Sequence, residues 1–539
     1  MNKFIDEFMA AFKFEGLTFD DISLITQYAD FAPEQAEVSS YFSRNVKLNI
    51  PFVSAAMDTV TEGDMAIAMA RLGGLGVIHK NLSIERQAQE VRRVKLYLNG
   101  IIKMPVVFHP DQTVAEMLRE KKLKKYSFSG FPIVDGQNQL VGIITARDIK
   151  YLTHYNHKIG DIMAKTLVTA KDGVSIKNAY KLMLEKKVGK LPTVDAEGRL
   201  TGLYSFQDVK TLIDKEEPDY NRDVKHQLRA AAGIGPYDEE RAAALVAAGV
   251  DVMVIDTAHG HSKNVIETVK LLKNTYGDKV DIVAGNVATA EAGLALAKAG
   301  ADGIKVGIGP GSICTTRVVA GVGIPQVTAV YEVKKAVGPT IPVIADGGIK
   351  QSGDVPKAIA VGASCVMMGS ALAGTSESTG EITLHHGRRY VVYRGMGSLE
   401  AMKTGKASRE RYGQADVEDE KKLVPQGIEG LVPFRGPVSD VIHQFVGGLK
   451  YACGYCGAKT IEELQKKAKL VRVTSAGLRE AHPHDVIMLK DAPNYTAEQF
   501  FIVKSVLISI RPDFLEEFII AVLRKSVLCR VLNIVTFKF

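Results

Sequence analysis

Cysteine is scarce in this chain, with five residues in 539, at positions 314, 365, 453, 456 and 529. This small, odd and scattered set excludes a disulfide framework and is typical of a reducing compartment. One C-x-x-C, Cys453 and Cys456, has no second pair, which favours a reduced structural pair over zinc. The N-terminal stretch also lacks an apolar run of signal-peptide length. We therefore predict a cytoplasmic protein.

Strong charge bias and the common nucleotide-binding consensus motifs are absent as well. The net charge is only +7, and no dense stripe of lysine and arginine occurs, so we predict no nucleic-acid partner and favour anionic metabolites. Neither G-x-x-x-x-G-K-[ST] nor a well-placed G-x-G-x-x-G is found, which excludes a P-loop and a Rossmann domain. Apolar runs near the C-terminus are too short and interrupted to span a bilayer, so no membrane association is predicted.

Short apolar runs alternate with Ala-, Leu- and Lys-rich helical stretches over much of the chain. The runs are 48–58, 73–79, 251–258, 280–287, 301–309, 341–348 and 363–370. Continuous apolar strands separated by helices indicate a parallel sheet buried on both faces. Polar and glycine residues follow the strand ends, where barrel enzymes build their sites. The fold class predicted is α/β, a (β/α)8 TIM barrel; an open doubly wound sheet is the alternative.

A repeat with a period of 60 residues interrupts this rhythm. Segment 131–149 matches segment 191–209, and each copy reads as strand, turn, strand and a helix beginning near an aspartate, Asp148 or Asp208. Two small units inserted into a barrel are expected to pack against each other. The predicted domains are a first barrel part at 1–93, a tandem module at 94–215, a second barrel part at 216–499 and an unassigned extension at 500–539.

Residues 400–435 are polar and poor in apolar periodicity. Such a stretch inside a compact domain is either disordered or a functional lid. The adjacent pair Arg411 and Tyr412 gains interest only if this segment folds over the barrel mouth.

Candidate site residues come from strand ends and glycine-rich loops. Asp256, Asn286 and Asp346 each follow a strand; singly each reads equally well as a helix cap, but together they favour ribose binding. The loop GIGPGSICTTR (307–317) gives the strongest signal. Its Cys314 is expected to be accessible, and Arg317 and backbone N–H groups favour a thiolate nucleophile over a buried thiol. Thr316 can hold or relay a proton.

These motifs resemble a known family in order and nearly end to end over residues 1–499. EGLTFDDISLIT, SAAMDTVTE, GIGPGSICTTR, ADGGIK, MMGSALAGT and YRGMGSLEAM are similar to segments of the IMP dehydrogenase family, and the repeat looks like its pair of CBS motifs, a Bateman module. The resemblance implies NAD-dependent oxidation of IMP to XMP through a covalent Cys thioimidate, followed by hydrolysis. It also implies potassium as a second cofactor and a homotetramer, with an octamer as the alternative.

The resemblance assigns roles to matching positions. Catalysis falls to Cys314, Thr316, Arg411 and Tyr412. The residues expected at IMP are Ser54, Met57, Ser312, Asp346, Gly348, Gly369, Ser370, Tyr393, Gly395, Met396, Gly397 and Gln426. Those expected at NAD are Asp256, Thr257, His259, Asn286, Gly307 and Gly309. Potassium is expected at Gly309, Gly311 and Cys314, completed by Glu480, Ala481 and His482 of a neighbouring subunit.

Three departures from the family pattern stand out. Ala56 replaces a usual proline, Gln426 stands where bacterial members usually carry glutamate, and 44 residues follow Tyr495. Two rivals remain: a GMP reductase-like enzyme, against which the insert and the lid argue, and a nucleotide sensor with an inactive barrel. Adenine or guanine nucleotides are the ligands expected for the CBS pair.

Overall fold

Eight short parallel strands close into a barrel in the computed structural model of this chain. In chain order the strands are β1 (Phe52–Ser54), β2 (Leu75–Ile78), β3 (Ala231–Ile234), β4 (Val252–Asp256), β5 (Asp281–Val287), β6 (Gly303–Val306), β7 (Val343–Asp346) and β8 (Cys365–Met368). Each strand pairs with the next, and β8 pairs with β1. The predicted (β/α)8 barrel is therefore confirmed, and the open sheet is excluded.

The structure describes most of the chain in two compact units, Met1–Leu478 and Arg479–Phe539. The described residues are 2–97, 101–102, 105–123, 126, 130–213, 220–225, 227–417, 419–486 and 492–495. The predicted extension at 500–539 lies outside them. In the second unit, His482 Nδ1 lies 3.1 Å from the hydroxyl of Tyr495. No helix in the described parts of the chain is both long and apolar enough to cross a bilayer.

A helix follows every barrel strand. These helices are Gly63–Arg71, Ile84–Lys95, Glu239–Ala247, Lys263–Tyr276, Ala290–Ala299, Gln326–Val337, Asp354–Ala360 and Val438–Tyr455. Helix Ala290–Ala299 shows how the sequence sets its ends: the Thr289 side chain accepts from Ala292 N, and Gly300 ends the helix with a left-handed φ of 105°.

The strand residues divide the core into two layers. Val252 and Val254 of β4 pack inside the barrel with Val283, whereas Met253 and Ile255 pack outward against the helices. Because both faces are buried, the strands are largely apolar on both faces rather than alternating. Packing fills the barrel's interior, so polar chemistry is confined to its ends.

The insert between β2 and β3 contains two copies of one unit, as the repeat predicts. Strand Gly130–Val134 pairs with Leu140–Thr145 in the same register as Lys190–Val194 pairs with Leu200–Ser205, and both hairpins carry an irregularity at the same position. Turn residues join the copies, with Gln139 Nε2 donating to Glu197 O at 2.9 Å. The other elements of the insert are Ile101–Ile102, Val114–Leu123, Ala146–Ile149, Ile159–Ile162, Ala170–Lys171, Ile176–Lys186 and Phe206–Ile213.

The polar segment 400–435 has more regular structure than its composition suggests. It contains the helices Leu399–Thr404 and Lys406–Arg411, a 3-10 turn at Glu420–Lys422 and the strand Glu429–Pro433. That strand joins Ile382–His385 and Arg388–Arg394 in an antiparallel sheet. Of the two readings of this segment, its described residues follow the ordered one.

The remaining elements surround the barrel. They are Lys3–Ala11, Phe19–Asp21, Ile22–Leu24, Pro33–Gln35, Ser40–Ser43, Val46–Leu48, Thr316–Val319, Ser370–Ala373, Ile461–Lys467, Leu470–Arg472 and Ser475–Glu480.

Candidate active site

A buried lysine links the polar strand ends at the barrel mouth. Lys305 of β6 is 1% exposed, and its Nζ donates at 2.8 Å to Asp256 Oδ1 and at 2.8 Å to Asp346 Oδ2. It also contacts Asn286 Oδ1, while Asn286 Nδ2 donates to Asp346 Oδ2 at 2.9 Å. The three predicted strand-end residues therefore belong to one hydrogen-bonded network.

Sequence reasoning missed Lys305, although one signal was present. The residue stands inside an otherwise apolar strand, where lysine is almost never buried without a partner. A charged side chain in that position requires carboxylates nearby, and Asp256 and Asp346 supply them.

We expect Lys305→Met to lower the free energy of unfolding by about 3–5 kcal/mol, because it leaves buried carboxylates without their cation. Urea denaturation measures the change. Lys466→Met is the matched control, since Lys466 is 70% exposed and pairs with Glu462 on its own helix, so its loss costs less than about 0.5 kcal/mol. Equal effects of the two substitutions would contradict the structural role of Lys305.

Cys314 lies in a loop that other residues hold in shape. It is partly exposed, and its N–H donates to Gly311 O at 3.1 Å. Arg317 stabilises the loop, because its guanidinium donates to Ile308 O at 3.1 Å and to Ile324 O at 2.6 Å. By contrast, Cys365 is wholly buried in β8, and burial raises the pKa of its thiol.

A line of polar atoms leads from the thiol to the lid segment. Cys314 Sγ lies 3.2 Å from Thr316 Oγ1, which donates to Gln426 Oε1 at 3.0 Å. The backbones also pair, since Thr315 N donates to Gln426 O at 3.1 Å. The Cys loop and the end of the lid are thus bonded to each other.

Glycines open the side of the mouth that faces β7 and β8. Gly347 and Gly348 have φ of 88° and 83°, a left-handed conformation that favours glycine. A Cβ on Gly369 would lie 2.8 Å from the hydroxyl of Tyr393, so glycine is needed there as well. Burial raises the pKa of Tyr393, which keeps its hydroxyl protonated as a donor.

Segment 400–435, the predicted lid, lies over the β4 side of the mouth. Arg411 is in ionic contact with Asp256 Oδ2, and Arg411 O accepts from Ala258 N at 3.2 Å. The Tyr412 ring lies against Gly397, where a Cβ would be 2.5 Å from Cζ. Burial lowers the pKa of Arg411, against an opposing influence from Tyr412, and burial raises the pKa of Tyr412.

One cleft collects most of the predicted residues. Those lining it are Met57, Asp256, Thr257, Asn286, Gly307, Gly309, Gly311, Ser312, Cys314, Thr316, Asp346, Gly348, Gly369, Ser370, Tyr393, Gly395, Met396, Arg411, Tyr412 and Gln426.

The structure does not bring the other predicted residues into this lining. Ser54 is fully buried, and its hydroxyl accepts from Thr61 Oγ1 at 2.9 Å. His259 is exposed, and its ring lies 6.5 Å from that of His261. Gly397 contacts the Tyr412 ring but does not line the cleft. Glu480, Ala481 and His482 belong to the second unit.

A sequence model described as "IMP dehydrogenase / GMP reductase domain" matches residues 16–484 of this chain. The chain belongs to this family. It is therefore an enzyme, an oxidoreductase of the IMP dehydrogenase type. Proteins named inosine-5'-monophosphate dehydrogenase are similar at full length: that of Aquifex aeolicus is 51% identical, covering 89% of this chain and 98% of its own. That of Bacillus subtilis is 51% identical, covering 90% and 99%.

A solved structure of this family bears on the rival assignment. A GMP reductase variant from Trypanosoma brucei, in complex with guanosine 5'-monophosphate, has a TM-score of 0.79 at 37% identity and covers 89% of this chain and all of its own. The 11% of this chain that the reductase does not cover is shorter than the insert at 94–215. At least part of the insert is therefore matched by the reductase. The argument that the insert separates the two activities is therefore wrong.

Proposed function

We propose that this enzyme oxidises IMP to XMP with NAD, through attack of the Cys314 thiolate on C2 of the hypoxanthine ring. The observation that carries the proposal is the placement of Arg411 in the same cleft as Cys314. A nucleophile alone serves both family reactions. A lid residue that acts on water is needed only where a covalent adduct is hydrolysed.

The glycine side of the mouth suits the phosphate and ribose of IMP. Backbone N–H groups at Gly348, Gly369 and Ser370, with Ser312 and the Tyr393 hydroxyl, offer donors to a dianion. The Lys305 and Asn286 bonds to Asp346 both end on Oδ2, and Oδ1 accepts from a ribose hydroxyl. The base then lies between Met57 and Met396, over the Cys314 thiol.

The β4 side of the mouth fits a dinucleotide. Asp256 Oδ1 is held by Lys305, whereas Oδ2 meets Arg411 of the lid. When the lid lifts, that same oxygen can accept from a ribose hydroxyl, and Thr257, Asn286, Gly307 and Gly309 border the path. NAD held by these residues would supply the acceptor for the hydride that leaves C2 of the tetrahedral adduct.

Hydrolysis then depends on the residues of the lid. Water beside the adduct gives up a proton, and Arg411 is placed to take it, because burial lowers its pKa from the usual high value. Tyr412 and Thr316 orient the water. Gln426 accepts from Thr316, but its neutral amide cannot take up a proton as a carboxylate would.

The Cys loop also suits a potassium ion. Carbonyls of Gly309, Gly311 and Cys314 are hard oxygen donors of the kind that replace potassium's hydration shell. The Gly311 carbonyl already accepts from Cys314 N, so an ion there would hold the loop that carries the thiol. Completion by Glu480, Ala481 and His482 of a neighbouring subunit, hence a homotetramer or an octamer of two, is part of this proposal.

The tandem module is proposed to bind adenine or guanine nucleotides and to modulate activity. Asp208 is buried, and burial raises its pKa to about 6 despite nearby Lys190 and Arg222. Asp148 is less available, since its Oδ2 accepts from Thr145 N at 2.6 Å and caps the helix.

Three measurements on the purified protein test the proposal against its rivals. We expect NADH from IMP and NAD, faster with potassium and altered by ATP or GTP. Formation of IMP and ammonia from GMP with NADPH, without NADH from IMP, would establish the reductase instead. Binding of ATP or GTP with neither reaction would favour the sensor.

A further inference from the structure

Lys80 lies beneath the lid without a partner. It follows β2 at the mouth of the barrel, is 3% exposed, and its Nζ has no hydrogen-bond acceptor among the described residues. A buried ammonium is costly unless it is paired, so its position requires an explanation. The proposed mechanism does not use it.

The surroundings of Lys80 belong to the lid and to the loop after β3. A Cβ on Gly235 would lie 3.4 Å from Lys80 Nζ and 3.8 Å from Oε2 of Glu410, a lid residue. The next residue, Asn81, occupies the space that a Cβ on Gly405 would need, directly before helix Lys406–Arg411. Asn81 is itself anchored, since its Nδ2 donates to Asp58 Oδ2 at 2.9 Å. Residues 80 and 81 therefore form the floor on which the lid helix rests.

Two cations and two anions act on Lys80, so its own ammonium is the charge in excess. Burial and the nearby Arg411 lower the pKa of Lys80 to about 8, while Glu410 and Asp238 oppose this and Arg241 adds to it. Asp256 already serves both Lys305 and Arg411. A further cation at Lys80 thus disfavours the protonated form of Arg411.

We infer that Lys80 is a positioning residue for the hydrolytic step, whose ammonium favours the neutral form of Arg411 while the lid is seated. This rests on the proposed function, because it concerns the proton that Arg411 accepts. Lys80 does not touch the reacting atoms; it acts through Arg411. Its effect is present at pH values below about 8, where Lys80 is charged, and fades above that pH as Lys80 loses its proton.

The test compares Lys80→Met, Lys80→Arg and the unaltered enzyme in pH profiles of kcat and of the pre-steady-state NADH burst. A rise of one unit in the pKa of Arg411 leaves about tenfold less neutral guanidine at a given pH. For Lys80→Met we therefore expect kcat to fall about tenfold at pH 7, its acid limb to move to higher pH and the burst rate to stay unchanged. Lys80→Arg retains the charge and should keep kcat within about threefold. Lys421→Gln is the lid control, because Lys421 is exposed on the same segment and is not among the charges that act on Lys80.

Each outcome decides a separate claim. If the unaltered enzyme shows a burst but Lys80→Met leaves the pH profile of kcat unshifted, the role of Lys80 is overturned and the proposed function stands. Burst and kcat reduced in proportion at every pH would also overturn that role, since that pattern marks a structural effect. NADH formation without a burst in the unaltered enzyme would also overturn the role of Lys80, because hydrolysis would then not limit kcat. No NADH from IMP and NAD would overturn the proposed function and this inference together.

Discussion

Cys314→Ala is expected to abolish turnover of IMP, with a fall in kcat of at least about 10⁴-fold. Without the thiolate no tetrahedral carbon forms at C2, and C2 is then a poor hydride donor. IMP should still bind, because the phosphate and ribose donors on the glycine side of the mouth do not involve this sulfur. Binding is measured by calorimetry and turnover by NADH formation.

Cys453→Ala is the matched control for this substitution. Cys453 is also a free thiol, but it is buried in helix Val438–Tyr455 and does not line the cleft. Burial raises its pKa to about 12, so it is no nucleophile at neutral pH. Full activity of Cys314→Ala would contradict the assignment of Cys314 as nucleophile. Loss of IMP binding would indicate that the substitution changes the conformation of the loop.

The barrel strands can be predicted from the sequence where each one forms a distinct apolar run. Seven of the eight barrel strands coincide with apolar runs read directly from the chain. The eighth, β3 (Ala231–Ile234), lies in an alanine-rich stretch that resembles a helix, and pairing with β2 and β4 overrides that local preference. Tertiary context alone decides such a segment.

The site divides in a similar way. Cys314 stands out because a glycine-rich loop ending in a cysteine is unusual by itself. Lys305 inside an apolar strand indicates a buried partner, but no local pattern identifies that partner as Asp256. The same holds for Lys80 and Arg411, which lie far apart in the chain. The antiparallel sheet that anchors the lid is equally non-local, since Glu429–Pro433 pairs with Arg388–Arg394.

Arg411 bears on what separates the two activities of the family. If the insert does not distinguish them, the distinction lies in whether the adduct on Cys314 can be hydrolysed. Arg411 is largely buried at the mouth and contacts Asp256. The segment that carries it also packs against Gly397, and its backbone accepts a hydrogen bond from Ala258 N. Our proposed mechanism requires this helix to leave the dinucleotide path and return to it.

Arg411→Gln should therefore retain the NADH burst and lower steady-state kcat by about 10²–10⁴-fold, the usual contribution of a general base. Glutamine keeps polar atoms in the space but cannot take up the proton of water, so the covalent adduct accumulates. Quenched samples examined by mass spectrometry should carry one nucleotide per active Cys314. Lys421→Gln is the control, because Lys421 is exposed on the same lid and loses an equal charge. If Arg411→Gln lost the burst as well, Arg411 would be acting in hydride transfer or binding, and hydrolysis would need another base.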